Sequence, residues 1–276
     1  MYTLNCKGKI LNLQTPQVMG ILNLTDDSFY EGYLHESKDQ LIERAGSMIS
    51  AGAAILDIGG QSTRPKSTRI SAIDEAHRVL PAIDNMLQHF PDAIISIDTY
   101  YSEVAIKAVE AGASIVNDIS GGNMDPLMIS TVGRLSVPYI CMHMQGRPET
   151  MQENPAYEDV TREVIEFFIQ KKQECLKAGI KDLIIDPGFG FGKTIQHNFS
   201  LLKNLAAFKI LDLPVLAGLS RKSTISKTLN ITAAEALNGT TVLNTIAIMN
   251  GASILRVHDV KEAIEVVKLV EAYNTN

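Results

Sequence analysis

The chain has 276 residues, of which 45% are hydrophobic and 20% are charged. These proportions are typical of a folded globular protein and exclude a disordered chain or a coiled coil. The net charge of −6 at pH 7 argues against general binding to nucleic acid or to an anionic membrane, so we expect neither as a partner. Any anionic ligand must then be held by a local cluster of cations.

The cysteine content and the lack of long apolar segments predict a cytoplasmic protein. The three cysteines, Cys6, Cys141 and Cys175, are odd in number, widely spaced and free of any Cys-x-x-Cys pair. This pattern fits a reducing compartment and gives neither a disulfide framework nor a cysteine-based zinc site. No apolar run approaches the roughly 18 residues of a membrane helix, and the N-terminus lacks the basic and apolar parts of a signal peptide.

Short apolar segments alternate with longer amphipathic segments along the chain. Short continuous apolar runs are typical of parallel strands that are buried on both faces. The predicted strands are Val18–Leu22, Ala54–Ile58, Ala93–Ile97, Ser114–Val116, Val137–Cys141, Asp182–Ile185, Val215–Gly218 and Ser253–Val257.

The segments that follow these strands carry apolar residues at helical spacing. After the second strand, Pro81 is a candidate break in the helix, and a helix is predicted from Ala233 to Ile248. Strand–helix units repeated over about 250 residues predict a single (β/α)₈ TIM barrel over residues 1–276, with an open doubly wound sheet as the alternative. Residues 1–15 precede the first unit and are expected to form a hairpin or a plug at the bottom of the barrel.

Polar residues follow the predicted strands at the end where a barrel places its active site. Acids and amides follow strands one to six, whereas cations follow strands seven and eight. The residues are Asn23, Asp57, Asp98, Asn117, Asp118, His143, Asp186, Ser220, Arg221, Lys222, Arg256 and His258. A ring of polar groups at one mouth of an apolar barrel is costly unless the groups meet ligands.

The cations at the last two strands favour a phosphate site, because the loops at these positions often bind phosphate in barrels. Arg221, Lys222 and Arg256 supply the planar forks and the point charge that suit phosphate oxygens, although solvated surface cations are the alternative. Asp98 and Asp186 each follow an apolar strand and are read as ligand contacts or as members of a buried ion pair.

The segment Gly188–Lys193 is rich in glycine, but it has neither the Walker spacing nor the context of a dinucleotide fingerprint. Phe191 supplies either an aromatic wall for a flat ligand or the packing of a turn.

His143, flanked by two methionines, is read as a structural group rather than a ligand. No motif has transition-metal spacing, so the expected metal is Mg²⁺ brought by a substrate phosphate.

The residues at these strand ends resemble the dihydropteroate synthase family, in the family's order and over essentially the whole chain. The matching segments are Met19–Phe29, Asp57–Pro65, Ser96–Thr99, Val116–Gly122, Met142–Gly146, Asp186–Lys193, Gly218–Ser223 and Arg256–Val260. The resemblance implies a homodimeric barrel of folate synthesis. It would join 6-hydroxymethyl-7,8-dihydropterin pyrophosphate to 4-aminobenzoate, giving 7,8-dihydropteroate and pyrophosphate.

The resemblance also implies a role for each matching position. The pterin contacts would be Asp98, Asn117, Met142, Asp186 and Lys222. The aminobenzoate contacts would be Phe191, as part of the pocket wall, and Ser220, which would meet the carboxylate. Thr63, Arg64 and Pro65 resemble the second flexible loop and would bind substrate. The pyrophosphate and Mg²⁺ would meet Asn23, Arg256 and His258, with Asn23 as the metal ligand. Catalysis is assigned to Lys222, Arg256, Asp98 and Asp186, and Asp57 is expected to support them.

Three positions depart from the family pattern. Asp26 stands where proline is usual, Gln61 where glutamate is common, and Lys66 where glycine is common. These departures bear on loop closure and turnover and leave the pterin positions intact. The alternative functions are a pterin-binding methyltransferase domain and a catalytically silent pterin-binding paralogue, but a methyltransferase has no use for the Ser-Arg-Lys segment or the Thr-Arg-Pro loop.

Overall fold

Eight parallel strands form a ring in the computed structural model, which describes residues 2–24, 38–62, 69–148 and 150–275. The strands are β3 (Gln17–Asn23), β4 (Ile55–Gly59), β5 (Ile95–Asp98), β6 (Ile115–Asp118), β7 (Tyr139–Met142), β8 (Leu183–Asp186), β9 (Leu216–Ala217) and β10 (Ile254–Val257). Their order in the sheet is β8-β7-β6-β5-β4-β3-β10-β9. The predicted strands are therefore confirmed, with bounds that differ by at most a few residues.

The two edges of this sheet meet at β8 and β9. Ile185 forms a parallel bridge with Val215, and the Ile185 N–H donates to the Pro214 carbonyl at 3.0 Å. The predicted barrel is thus confirmed. The alternative, an open doubly wound sheet, is wrong because such a sheet leaves both edges unpaired.

Helices surround the ring and cover its outer face. They are α1 (Lys38–Ser50), α2 (Ala72–His89), α3 (Ser102–Glu110), α4 (Met128–Leu135), α5 (Val160–Lys177), α6 (Ile195–Lys203), α7 (Ser223–Leu229), α8 (Leu237–Met249) and α9 (Val260–Thr275), with a 3₁₀ helix at Leu205–Leu211. Among these described helices, none combines the length and apolar character needed to span a lipid bilayer.

Two helix predictions are wrong in detail. Pro81 lies inside α2 and does not break it, because the helix buries Val79, Ile83 and Met86 on its core face while Pro81 itself faces solvent. The packing outweighs the one backbone hydrogen bond that a proline removes. The helix predicted from Ala233 begins only at Leu237, after a turn.

An antiparallel hairpin closes the bottom of the barrel. Strands β1 (Thr3–Cys6) and β2 (Lys9–Asn12) pair around a turn in which Lys7 and Gly8 both have positive φ, as a tight two-residue hairpin requires. Leu4, Cys6 and Leu11 pack with the inward-facing residues near the start of the barrel strands in one apolar cluster. The other mouth, at the carboxyl ends of the strands, is left for polar side chains.

The packing of the helices around the barrel can be tested where α4 contacts the end of α5. A Cβ on Gly133 would lie 2.0 Å from the Ala178 carbonyl oxygen, and a backbone atom cannot rotate away. Gly133→Ala gains about 1 kcal/mol of helix propensity, but overpacking costs about 1–3 kcal/mol. We expect a net loss of unfolding free energy in urea titrations, whereas Ser130→Ala on the exposed face of α4 should change it by less than about 0.5 kcal/mol. An equal or higher stability for Gly133→Ala would contradict this packing.

Candidate active site

A buried ion-pair network lies at the carboxyl ends of three barrel strands. Arg256, from β10, donates from Nε to Asp57 Oδ2 at 2.6 Å and from Nη2 to Asp98 Oδ2 at 2.7 Å. Asn117 Nδ2 donates to the same Asp57 oxygen at 3.0 Å. Four of the predicted polar residues, from β4, β5, β6 and β10, therefore meet in one hydrogen-bonded group.

The network makes Asp98 a member of a buried ion pair, one of the two readings that the sequence left open for this residue. Two of the three guanidinium nitrogens of Arg256 are committed to carboxylates, so this side chain is held in place before any anion arrives. Asp57, expected only to support the site, is fully buried at the centre of the network. The signal in the sequence was a lone acid inside an apolar strand, since burying a carboxylate demands a partner.

The surroundings shift the titration of the network. Burial raises the pKa of the Asp98 carboxyl to about 7, with a further rise from Asp57 and an opposing effect of Arg256. Burial lowers the pKa of Arg256, but the nearby Asp57 and Asp98 outweigh it and raise that pKa above its ordinary value. Arg256 therefore stays cationic while Asp98 can hold a proton near neutral pH.

Lys222 and Asp186 form the opposite part of the mouth. Lys222 Nζ donates to the Phe189 carbonyl and lies 4.8 Å from the centre of the Phe191 ring. Burial lowers the pKa of Lys222 to about 8, against the effect of Asp186. Burial also raises the pKa of Asp186, against the effect of Lys222. Asp186 Oδ1 accepts the Gly188 N–H at 2.7 Å, which orients the carboxylate.

An apolar cluster borders these charged groups. It contains Tyr100, Ile119, Met142, Met144 and Met151, and Phe191 packs against it. The resemblance assigned Met142 to the pterin and Phe191 to the aminobenzoate, and the structure places both at one apolar cluster. A thioether and an aromatic ring form a surface suited to the face of a flat ligand.

The loops after β9 and β10 are tied together by side chains. Ser220 Oγ lies 3.0 Å from His258 Nδ1 and accepts the His258 N–H at 3.2 Å. Arg221 binds Asp259 through Nε and Nη2, each at 2.7 Å. Arg221 was expected to serve a phosphate site, and this ion pair commits it instead to joining the two loops, because Asp259 presents a carboxylate that matches the guanidinium fork.

Asn23 lies beside the network at the end of β3. A Cβ on Gly59 would lie 3.6 Å from both Asn23 Oδ1 and Asp98 Oδ2, so these two oxygens flank the same glycine. Among the residues that the structure describes, no group of three or more His, Cys, Asp or Glu side chains could hold a metal. An amide oxygen fits Mg²⁺ that keeps most of its ligands as water and phosphate.

The second loop is described only at its ends. Thr63, Arg64, Pro65 and Lys66, like Asp26 of the first loop, lie outside the described residues. Gln61 Oε1 accepts the Ile70 N–H at 2.9 Å and Gln61 Nε2 donates to the Ser62 carbonyl at 2.9 Å. The amide joins the two ends of the loop with a donor and an acceptor, which an ionised glutamate cannot do because it lacks the donor.

Two other strand-end residues support loops. Asp118 accepts hydrogen bonds from Ser120, Gly122 and Tyr139, which turns the loop after β6. His143 is buried, and burial together with Lys193 lowers its pKa to about 3. It is therefore neutral, in line with its reading as a structural group. Lys193, to which sequence reasoning gave no role, contacts His143 Nδ1 at 3.0 Å.

Comparison with known proteins identifies relatives that match nearly the whole chain. The sequence model of the family described as pterin binding enzyme matches residues 19–258. A dihydropteroate synthase of Escherichia coli (strain K12) is 46% identical over 268 residues, covering 96% of this chain and 94% of that protein.

Solved structures agree with this match. A Yersinia pestis dihydropteroate synthase with a sulfonamide drug complex superposes with a TM-score of 0.95 at 41% identity, covering 100% of both chains. A Xanthomonas albilineans dihydropteroate synthase in complex with 7,8-dihydropteroate has a TM-score of 0.89 at 34% identity, again covering 100% of both chains.

Removing Arg256 tests the buried network. In Arg256→Met, Asp98 loses its counter-charge. A carboxyl whose folded pKa lies above its unfolded value of about 3.9 stabilises the fold at low pH and loses this contribution as pH rises through the folded value. We therefore expect the variant to lose about 3–5 kcal/mol near pH 8 and clearly less near pH 5, measured by urea unfolding.

The matched control is Lys107→Met, which breaks an exposed pair with Glu103 and should cost less than about 1 kcal/mol at both pH values. A destabilisation of Arg256→Met that does not grow with pH would contradict the network.

Proposed function

Because the chain belongs to the dihydropteroate synthases of the pterin binding enzyme family, we propose that its barrel mouth joins 6-hydroxymethyl-7,8-dihydropterin pyrophosphate to 4-aminobenzoate. The products are 7,8-dihydropteroate and pyrophosphate. One observation carries the assignment of the reaction to this mouth. Buried acids and a buried amide lie there beside two half-buried cations, Arg256 and Lys222. A flat base with an amide-like edge and a diphosphate group requires such a combination.

The pterin is held by the acids and the amide. A dihydropterin presents an amino-pyrimidinone edge, and a carboxylate accepts two N–H bonds from such an edge. Asp186 has its Oδ1 fixed by the Gly188 N–H, so the carboxylate is oriented before the ligand arrives. Asn117 has its Nδ2 fixed by Asp57, which makes its amide oxygen the acceptor for the ligand. Met142, in the apolar cluster beside these groups, would contact the face of the pterin ring.

The chemical step is the loss of pyrophosphate from a CH₂ group beside an electron-rich ring. The C–O bond breaks with its electron pair on pyrophosphate, and the cation left on carbon is delocalised into the ring. The amine nitrogen of 4-aminobenzoate then bonds to this carbon and releases a proton. An aniline-type amine is neutral at pH 7, so neither a strong base nor an enzyme nucleophile is needed.

The protein's contribution is to stabilise the charge of the leaving group. Arg256 stays cationic because Asp57 and Asp98 hold it, and Lys222 supplies a second cation at the same mouth. Fixed cations in a site shielded from water lower the barrier to forming an anion, because they need not reorganise. Ser220 and His258 lie beside them in the adjoining loops. Phe191 forms the wall for the aromatic ring of 4-aminobenzoate.

Mg²⁺ would accompany the pyrophosphate, with Asn23 as its protein ligand, and when bound it would neutralise phosphate charge.

A homodimer and a cytoplasmic location remain predictions. In support of a dimer, α8 leaves Val242, Ile246 and Met249 exposed at the i, i+4, i+7 spacing of one apolar stripe. In support of the location, all three cysteines are buried and unpaired.

The test of the function is pyrophosphate release. Purified protein is mixed with Mg²⁺, the pterin pyrophosphate and 4-aminobenzoate, and pyrophosphate and dihydropteroate are measured together. Equal amounts of both products support the synthase. Tight pterin binding without release would leave the silent paralogue or the methyltransferase.

Lys222 provides the sharpest variant. Removal of one charge-stabilising donor costs on the order of 10²–10³ in kcat, and we expect a loss of that size in Lys222→Met. Since the pKa of Lys222 is lowered to about 8, kcat/KM of the wild type for the pterin pyrophosphate should fall as pH rises above about 8, and Lys222→Arg should move this fall to higher pH. Lys227→Met, at an exposed position of α7, the helix that begins directly after Lys222, is the control. A wild-type rate in Lys222→Met would refute the anion role.

A further inference from the structure

A buried lysine lies next to the site and has no part in the proposed reaction. Lys193 ends the glycine-rich loop after β8 and is 3% exposed. Its Nζ lies 3.0 Å from the carbonyl oxygens of Gly188 and Phe191 and 3.3 Å from that of His143. His143 Nδ1 is 3.0 Å away. One amino group thus collects acceptors from the loop after β7 and from the loop after β8.

The backbones of these two loops lie directly against each other, which explains why a lysine is needed. A Cβ on Gly188 would lie 1.9 Å from the His143 carbonyl oxygen, and one on Gly192 would lie 2.4 Å from that of Gln145. Only glycine permits this approach of the two backbones. Because glycine has no side chain, it offers no donor to the carbonyls that lie between the two loops. A buried carbonyl without a donor costs about 1–3 kcal/mol, and an ammonium group supplies three donors at one point.

A second lysine holds the same loop from the other side. Lys222 donates to the carbonyl of Phe189, whereas Lys193 donates to the carbonyls of Gly188 and Phe191, on either side of it in the chain. The Phe191 N–H also donates to the Gly188 carbonyl at 3.1 Å. The backbone of Phe191 is therefore bound by Lys193, and the ring of the same residue lies 4.8 Å from Lys222 Nζ.

We infer that Lys193 is a positioning residue that sets the aromatic wall, the ring of Phe191, at its distance from Lys222. This inference rests on the proposed function, in which that wall receives 4-aminobenzoate. Asp186 ends strand β8, where the register with β7 pairs it with Met142, so the sheet holds its backbone in addition to the contacts of the loop. Loss of Lys193 should therefore affect the aminobenzoate side of the site more than the pterin side.

The kinetic test is Lys193→Met, which keeps the length of the side chain and removes its donors. Displacement of a positioning group by about 1 Å costs up to about 100-fold. We expect KM for 4-aminobenzoate to rise about tenfold or more, while Kd for the pterin pyrophosphate changes less than about threefold. Lys193→Gln, with two donors left, should give an intermediate KM. Lys172→Met is the matched control, since Lys172 donates to one carbonyl, that of Leu211, at the 3₁₀ helix and away from the mouth. Equal changes in both constants would overturn the inference.

A double-mutant cycle on the KM for 4-aminobenzoate tests whether the effect of Lys193 depends on the ring of Phe191. If it does, Lys193→Met should add little to the KM increase caused by Phe191→Leu, because the ring to be positioned is already gone. Fully additive effects of the two changes on KM would overturn the inference, since residues that act on one group are not additive.

Hydrogen exchange separates this inference from the proposed function. If the wild type releases no pyrophosphate, the proposed function fails, yet the loop can still be measured by mass spectrometry. We expect faster amide exchange in residues 188–192 of Lys193→Met and unchanged exchange in β3, β4 and β5. Unchanged exchange in residues 188–192 would overturn the positioning role whether or not the protein is a synthase.

Discussion

The arrangement of the mouth depends on Arg256 and the two carboxylates that it joins. Asp57, Asp98 and Arg256 come from strands β4, β5 and β10, and their charged atoms meet at 2.6–2.7 Å. Burying any one of them alone would cost several kcal/mol, whereas together they partly offset that cost. The group therefore exists only when the ring of strands is formed, and it holds the guanidinium of Arg256 in place at the mouth.

The apolar bottom and the polar mouth of the barrel are two results of one topology. Parallel strands bring all their carboxyl ends to one side, where the polar residues collect. The hairpin β1–β2 covers the other side with Leu4, Cys6 and Leu11. Ligand-binding groups and fold-stabilising groups are thus separated along the barrel axis, and the site can retain buried charges without disturbing the apolar core below it.

Backbone contacts at the mouth matter as much as side chains. Glycines in the loop after β8 allow it to lie on the loop after β7, and the resulting inward carbonyls are bound by Lys193 on one side and by Lys222 on the other. The backbone of Phe191 is one of the groups bound in this arrangement. Main-chain hydrogen bonds to Lys193 thus act on this residue together with the packing of its ring against the apolar cluster.

The sequence by itself determined the barrel, the mouth at which the polar residues gather and the family, because apolar runs, helical spacing and residues at strand ends are local properties of the chain. It could not pair Arg256 with Asp57 and Asp98, since these residues are 199 and 158 positions apart and nothing local distinguishes a buried cation from one that faces an anion. For the same reason the sequence predicted Arg221 as a phosphate ligand, whereas the structure pairs it with Asp259. The sequence likewise gave Lys193 no role, because the carbonyls that it binds come together only in the fold. Only closure of the ring decides which charges become partners, because partnership depends on distances that the tertiary fold creates.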